Sequence, residues 1–239
     1  MMPLTIACFK WRKIPGAPQL LPQVPNLVYS AKHVNILYYS LGRNLKIPFN
    51  FVCVTDDSSG LDHRIEVIPL WDKCRNLGGC YNRLYVFSKD MRSLLGRRFA
   101  CIDLDCVITG DVTPIFSRQE DFIINSYKPF PAHKFNMNQK YNGGLFIMNA
   151  GCRKQVWETF DPKKSPDILT KAHDICVGTD QGWIRYVLGE NEAVLTEKDG
   201  IYEARAFSST LPNNAKIVMF AGQRDPSLST HKWVTNNWY

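Results

Sequence analysis

Two rhythms of apolar and polar positions alternate along the first half of this chain. Thr5 to Phe9 is a short apolar run with strand character. Pro15, Gly16, Pro18, Pro22 and Pro25 then exclude regular structure, and Asn26 can cap a helix running to about Leu45. Along that helix Val34, Leu37, Tyr38, Leu41 and Leu45 recur at three- and four-residue steps, which is one apolar helix face. Phe49 to Thr55 is a second strand, closed by the turn cluster Asp56-Asp57-Ser58-Ser59-Gly60, and Arg64 to Ile68 is a third. Helical spacing returns from Tyr81 to Leu95, with Leu84, Phe87, Met91 and Leu95 on one side and Gly96 as the stop.

Phe99 to Ile102 is a buried strand that ends in Asp103-Leu104-Asp105, and Cys106 to Thr109 continues extended. Phe122 to Asn125, Gly144 to Asn149 and Lys216 to Phe220 are further strands, and Arg153 to Phe160 and Asp180 to Leu188 are helices. Strands alternating with helices predict an α/β domain with a mainly parallel sheet.

Composition narrows the picture. The 239 residues are 45% hydrophobic, 12% aromatic and 21% charged, which suits one packed globular domain and excludes a disordered or fibrous chain. No run approaches the roughly 20 apolar residues of a membrane span, and Met1 to Lys13 lacks the long apolar core of a signal peptide, so a cytoplasmic protein is expected. A net charge of +7 favours anionic partners. Eight cysteines without a Cys-x-x-Cys pair fit buried, reduced thiols better than a zinc or disulfide framework.

The chemistry centres on Asp103 and Asp105. Alternate residues of an extended segment point the same way, so both carboxylates can face one point while Leu104 enters the core. Such a pair repels itself unless a cation intervenes, and Mg²⁺ or Mn²⁺ takes oxygen ligands and bridges to phosphate. The position at the carboxyl end of a buried strand is where open α/β sheets bind ligands.

The segment Cys101-Ile102-Asp103-Leu104-Asp105-Cys106-Val107-Ile108-Thr109-Gly110-Asp111 resembles the Asp-x-Asp segment of nucleotide-sugar glycosyltransferases of the GT-A fold, especially the retaining family 8 type and related bacterial enzymes. Tyr141 to Asn149 resembles that group's Asn-rich strand entry, and Gly178-Thr179-Asp180-Gln181 its Asp-Gln pair at a helix start. Ala7 to Trp11 is similar to its nucleotide-contacting first strand, Phe51 to Asp57 to its second strand and acidic turn, and Tyr81-Asn82-Arg83-Leu84 to the helix with a donor-contacting Arg. The resemblance implies a GT-A-like domain with a mixed, mainly parallel central sheet flanked by helices. Residues 1–110 would be the nucleotide-sugar half and 111–239 the acceptor half with a C-terminal tail.

It further implies transfer of a hexose from a nucleotide diphosphate sugar, UDP-linked for preference, to a hydroxyl acceptor with retention. Asp103 and Asp105 would hold Mn²⁺ or Mg²⁺. Lys10, Trp11, Asp56, Arg83, Leu104, Asn142, Gly143 and Gly144 would line the donor site, with Asp180 and Gln181 at the reacting sugar. Several have a plainer alternative: Arg83 on a helix surface, Lys10 and Trp11 as solvated and packed side chains, Asn142-Gly143 as a turn, Asp180 as a helix N-cap.

One departure concerns the third metal ligand, a His near the carboxyl end of the group. The corresponding stretch here is Phe220 to Ser227 with Ala221, and His231 downstream is the substitute candidate. Lys128, Lys134, Lys140, Arg153, Lys154, Lys163 and Lys164 suit an anionic acceptor: a glycan such as lipopolysaccharide core, a lipid-linked glycan met at a membrane surface, or DNA with a hydroxylated base. The competing classes are a metal-dependent nucleotidyltransferase, for which Pro15 to Pro25 offers no triphosphate loop, and a nucleic-acid-binding module stacking bases on Trp11, Trp233 and Trp238.

Overall fold

The computed structural model describes residues 3–11, 29–74, 77, 80–127, 139–165, 168, 179–207, 209–220 and 224–239. The proline-rich stretch, Asn26, Lys128, Lys134, Cys176, Gly178 and Ala221 lie outside them.

Among the described residues, β1 (Leu4–Lys10), β2 (Phe49–Thr55), β3 (Glu66–Pro69), β4 (Arg98–Ile102), β6 (Phe122–Ser126), β7 (Tyr141–Asn149) and β8 (Ala193–Leu195) form a seven-stranded sheet of order β3-β2-β1-β4-β7-β6-β8. The pairs β2–β3, β1–β2, β1–β4 and β6–β8 are parallel, and β4–β7 and β6–β7 are antiparallel. The mixed, mainly parallel sheet is therefore present. A smaller sheet of β5 (Cys106–Ile108), β10 (Ile217–Met219) and β9 (Ile201–Glu203) begins immediately after the acidic pair.

The two-residue period of the strands divides the core between the faces of the large sheet. Ala7, Phe9, Phe99, Cys101, Phe146 and Met148 face one apolar layer, capped by Leu84, Phe87 and Trp183. Ile6, Cys8, Ala100, Ile102, Leu145 and Ile147 face the other, covered by Val34, Leu37 and Leu41 of the helix α1 (Ala31–Asn44). Leu104 is 2% exposed and belongs to this second layer, as its place between two outward carboxylates requires.

Three expectations change. The region from Tyr81 to Leu95 is not one α-helix: Tyr81–Phe87 is a 3-10 helix and Met91–Leu94 a separate short turn of helix. All seven residues of Tyr81–Phe87 are buried, so no solvent-facing stripe exists, and the extended Ser88 (ψ 157) ends the winding. The third strand starts at Glu66 rather than Arg64, and the helix near Arg153 contracts to Gln155–Glu158. Arg153 itself is committed to Glu192 (2.6 Å) and Asp121 (2.9 Å), clasping the start of β6 to the segment entering β8 rather than presenting free charge to an acceptor.

Seven described cysteines are free thiols. Among the described residues, no helix is long and apolar enough to cross a membrane.

Candidate active site

The site is built where strand ends of opposite direction meet. Because β7 runs antiparallel to β4, its amino end lies beside the carboxyl end of β4, with Ile102 opposite Leu145. The Asp103 N–H donates to Gly144 O at 2.8 Å, which extends that pairing by one residue and fixes the backbone of the first aspartate. Asn142 Oδ1 accepts from Gly144 N–H at 2.7 Å, so the Asn-Gly-Gly segment is a folded-back strand entry inside β7 and not a hairpin turn.

Arg83 joins the parts. Its side chain, 10% exposed, donates from Nε to Asp180 Oδ2 at 2.7 Å, and its Nη2 lies 2.6 Å from the same oxygen. Its Nη1 bonds Asp103 Oδ1. Burial works against this charge, and Asp103 and Asp180 more than compensate, holding the guanidinium further into its protonated form. Arg83 is thus an interior bridge rather than a surface residue.

Thr179 caps the helix Asp180–Leu188, accepting from Gly182 N–H at 3.2 Å, which frees the Asp180 side chain to face Arg83. Gln181 Oε1 accepts from Gly143 N–H at 3.2 Å, so both residues of the Asp-Gln pair reach the glycine segment. Cys80 Sγ accepts the Asp180 N–H at 3.2 Å and fastens the helix start to the Arg83 segment.

Asp105 completes the constellation. Burial and the neighbouring charge of Asp103 push its carboxyl up to about 8, against the hydrogen bond from Tyr29 Oη at 3.0 Å. Asp103 also moves upward, through burial and then Asp180, opposed by Arg83. The Asp103 side chain keeps 34% of its surface open and Asp105 is half-buried, so the pair is reachable from solvent.

Lys10, Trp11 and Asp56 occupy the carboxyl ends of the adjacent strands β1 and β2. Lys10 Nζ is held by the carbonyl and, at 3.5 Å, the carboxylate of Asp57, and Trp11 packs edge-on against Phe9 at 5.8 Å. His231 is not brought to the aspartates: it is exposed and stacks on Trp233 at 6.2 Å, and no three His, Cys, Asp or Glu side chains among the described residues form a metal-ligand group.

Tyr29 and Met219 are site residues that the sequence reading missed. A Cβ on Gly144 would lie 2.7 Å from Met219 Cε and 3.0 Å from Asp103 Oδ2, so the thioether flanks the carboxylate across that glycine. The antiparallel register Met219 opposite Cys106 brings it there, and nothing in the two separate stretches announces their pairing.

The same crowding gives a prediction. In Gly144→Ala the new methyl would also meet Asn142 Oδ1 at 2.9 Å, an atom already held in place. A loss of ~1–3 kcal/mol is expected from overpacking, measured by denaturant titration, and an unchanged midpoint would contradict the close approach.

No family model and no curated protein sequence matches this chain. Solved structures do. The chain is similar to the galactosyltransferase LgtC, solved with donor and acceptor sugar analogues, at 10% identity and a TM-score of 0.60, covering 99% of this chain and 97% of that one. It is also similar to the glycosyltransferase GlyE of Streptococcus pneumoniae TIGR4, at 14% identity and a TM-score of 0.61, covering 98% of this chain and 59% of that one. The fold is that of the GT-A glycosyltransferases.

Proposed function

We propose that this protein is a glycosyltransferase that moves a hexose from a nucleotide diphosphate sugar, UDP-linked for preference, to a hydroxyl acceptor with retention. The observation that carries this reading is the Arg83 bridge between Asp103 and Asp180, set beside Asp105 and the glycine backbone at the strand ends. Two solved relatives in fold named as glycosyltransferases support it.

The donor set suits a hard divalent cation. Asp103, Asp105 and Asp180 against Arg83 leave two net negative charges when all are ionised, and burial, then the charge of Asp103, raises the Asp105 carboxyl. Asp103 and Asp105 would hold Mn²⁺ or Mg²⁺, both of which take oxygen ligands. When bound, the cation supplies charge stabilisation to the departing diphosphate.

The chain's own residues do the rest. Arg83 keeps Asp103 and Asp180 in register, Asp180 accepts hydrogen bonds from donor-sugar hydroxyls, and Gln181 presents its amide beside the anomeric carbon. The bond from that carbon to the diphosphate breaks as the bond to the acceptor oxygen forms on the same face, and the acceptor proton passes to a phosphate oxygen. Residues 1–110 form the donor half and 111–239 the acceptor half.

The direct test incubates the protein with a panel of nucleotide sugars with and without Mn²⁺. Release of a nucleoside diphosphate from one of them is expected, and no turnover of any would sink the assignment.

Cation binding should depend on pH. Asp105 holds a proton in the native protein up to about 8, far above the ordinary aspartate value of about 3.9. Its contribution to stability is therefore complete below the unfolded value and is lost as pH rises through the native one. A cation favours the ionised form, so the rise in Tm on adding Mn²⁺ is expected to be larger at pH 8.5 than at pH 6, where binding must first displace the Asp105 proton. Equal shifts at the two pH values would exclude Asp105 as a ligand.

A further inference from the structure

The two aspartates at the end of β4 are held by different parts of the chain. Asp103 is fixed by its N–H on Gly144 O and by Arg83. Asp105 is fixed from the start of α1, where Tyr29 Oη donates to Oδ2 at 3.0 Å. A phenol carries its proton at neutral pH, so Tyr29 is the donor and the carboxyl oxygen the acceptor. The bond takes up one oxygen and restrains the carboxyl plane from turning. Tyr29 stands just before Ser30, the N-cap of α1, and its ring packs on the apolar layer that contains Leu104 and Met219.

A second device sets the aim of Tyr29. His33 meets its ring in a T-shaped contact at 5.4 Å, and Trp238 meets His33 at 5.4 Å in the same manner. Both nitrogens of His33 are used. Ser30 N–H donates to Nδ1 at 3.2 Å, so Nδ1 is an acceptor and the ring proton sits on Nε2. Nε2–H therefore donates to Asp225, whose carboxylate oxygens lie at 3.2 and 3.3 Å. Asp225 is held in turn by Ser227 N–H at 2.7 Å. His33 is 5% exposed, and a buried ring pinned at both nitrogens presents one fixed surface to Tyr29. The stretch Phe220 to Ser227, where the family resemblance places a third metal ligand, thus reaches the acidic pair through Asp225, His33 and Tyr29.

We propose that Tyr29 is a positioning residue of the cation site: its hydroxyl fixes the Asp105 carboxylate for a divalent metal, and the His33–Asp225 pair fixes Tyr29. This rests on the reading of Asp103 and Asp105 as the pair that would hold Mn²⁺ or Mg²⁺. Groups that hydrogen-bond a ligating carboxylate orient it, and losing one costs roughly 10–100-fold in metal affinity. Arg83 on Asp103 and Tyr29 on Asp105 then set the two carboxylates from separate elements.

The test uses the full chain and Mn²⁺ alone, reading free Mn²⁺ by electron paramagnetic resonance and Tm with and without the metal. In Tyr29→Phe, Mn²⁺ binding is expected to weaken about tenfold. The metal-free Tm should stay within about 4 °C of wild type, the scale of one lost hydrogen bond. Tyr39→Phe is the control, because that phenol lies on the same helix and donates to a different carboxylate, Asp62. It should bind Mn²⁺ as wild type does. Asp225→Asn keeps the shape and loosens the hold on His33, so about threefold weaker binding is expected. The double variant Tyr29→Phe, Asp225→Asn should bind no worse than Tyr29→Phe, since the effect of Asp225 passes through Tyr29.

Unchanged Mn²⁺ affinity in Tyr29→Phe, an equal loss in Tyr39→Phe, or no Mn²⁺ binding by the wild type would each overturn the positioning role. Additive losses in the double variant would sever the His33–Asp225 pair from it. If Tyr29→Phe matches wild type in Mn²⁺ binding while nucleotide sugar is turned over, this inference alone fails. If Mn²⁺ binding weakens as expected and no nucleotide sugar is turned over, the glycosyltransferase reading fails and the positioning role stands.

Discussion

Replacing Arg83 with methionine is expected to destabilise the protein by about 3 kcal/mol, near the low end of what removal of one partner from a buried ion pair costs. Asp180, 3% exposed at its side chain, would be left charged without a counter-ion, while Asp103, 34% exposed, would recover part of its solvation. Methionine keeps the apolar stem of the original and removes its charged fork. The deficit should shrink on going from about pH 8 to about pH 5, since Asp103, already raised by burial, loses the Arg83 charge that opposed the rise and takes up a proton, and uptake by the native state raises stability as pH falls.

Turnover should fall by at least about a hundredfold, the scale for losing one positioned electrostatic donor. Arg83→Lys should not restore it, because a single ammonium cannot span Asp103 and Asp180 as the planar fork does. Urea titrations of both variants at the two pH values, alongside the nucleotide-sugar assay, decide the matter. A wild-type-like Arg83→Met in both assays would remove the bridge from the mechanism.

The double variant Asp103→Asn, Asp105→Asn carries the largest expected loss of activity. Stabilisation of a departing diphosphate by a bound cation amounts to several kcal/mol, or about a thousandfold or more in rate. Stability should move differently. Near neutral pH Asp105 holds a proton in the native protein, its carboxyl being pushed up to about 8, so Asp105→Asn alone resembles the state already present. Its unfolding midpoint without metal should match or exceed wild type, and the rise on adding Mn²⁺ should vanish. Retained Mn²⁺-dependent stabilisation in the double variant would place the cation elsewhere, and unchanged turnover would dismiss the acidic pair from catalysis.

Much of the frame was legible in the one-dimensional pattern. Thr5 to Phe9, Phe49 to Thr55 and Phe99 to Ile102 are mainly apolar runs of strand length, and they became β1, β2 and β4 because a sheet covered on both faces buries nearly every position, with Thr5 and Asn50 falling near the less buried strand starts. The helix Asp180–Leu188 began at the residue expected. The run from Tyr81 misled, since apolar residues at helical spacing also arise where every side chain is buried and tertiary packing sets the winding. The cation assignments were weakest: Arg153 was read as available surface charge, yet Asp121 and Glu192 claim it from 32 and 39 residues away.

By itself the sequence determined the alternation of strands and helices and the placement of two carboxylates at the end of a buried strand, because burial and the two-residue period are local properties of the chain. Only the tertiary structure decided what surrounds them. Arg83 reaches Asp180 across 97 residues, Tyr29 reaches Asp105 across 76, and Met219 reaches the glycine beside Asp103 through the pairing of β10 with β5. Such contacts follow from how the sheets and helices pack, and no spacing in the chain encodes them. The same packing stacked His231 on Trp233, away from the aspartates.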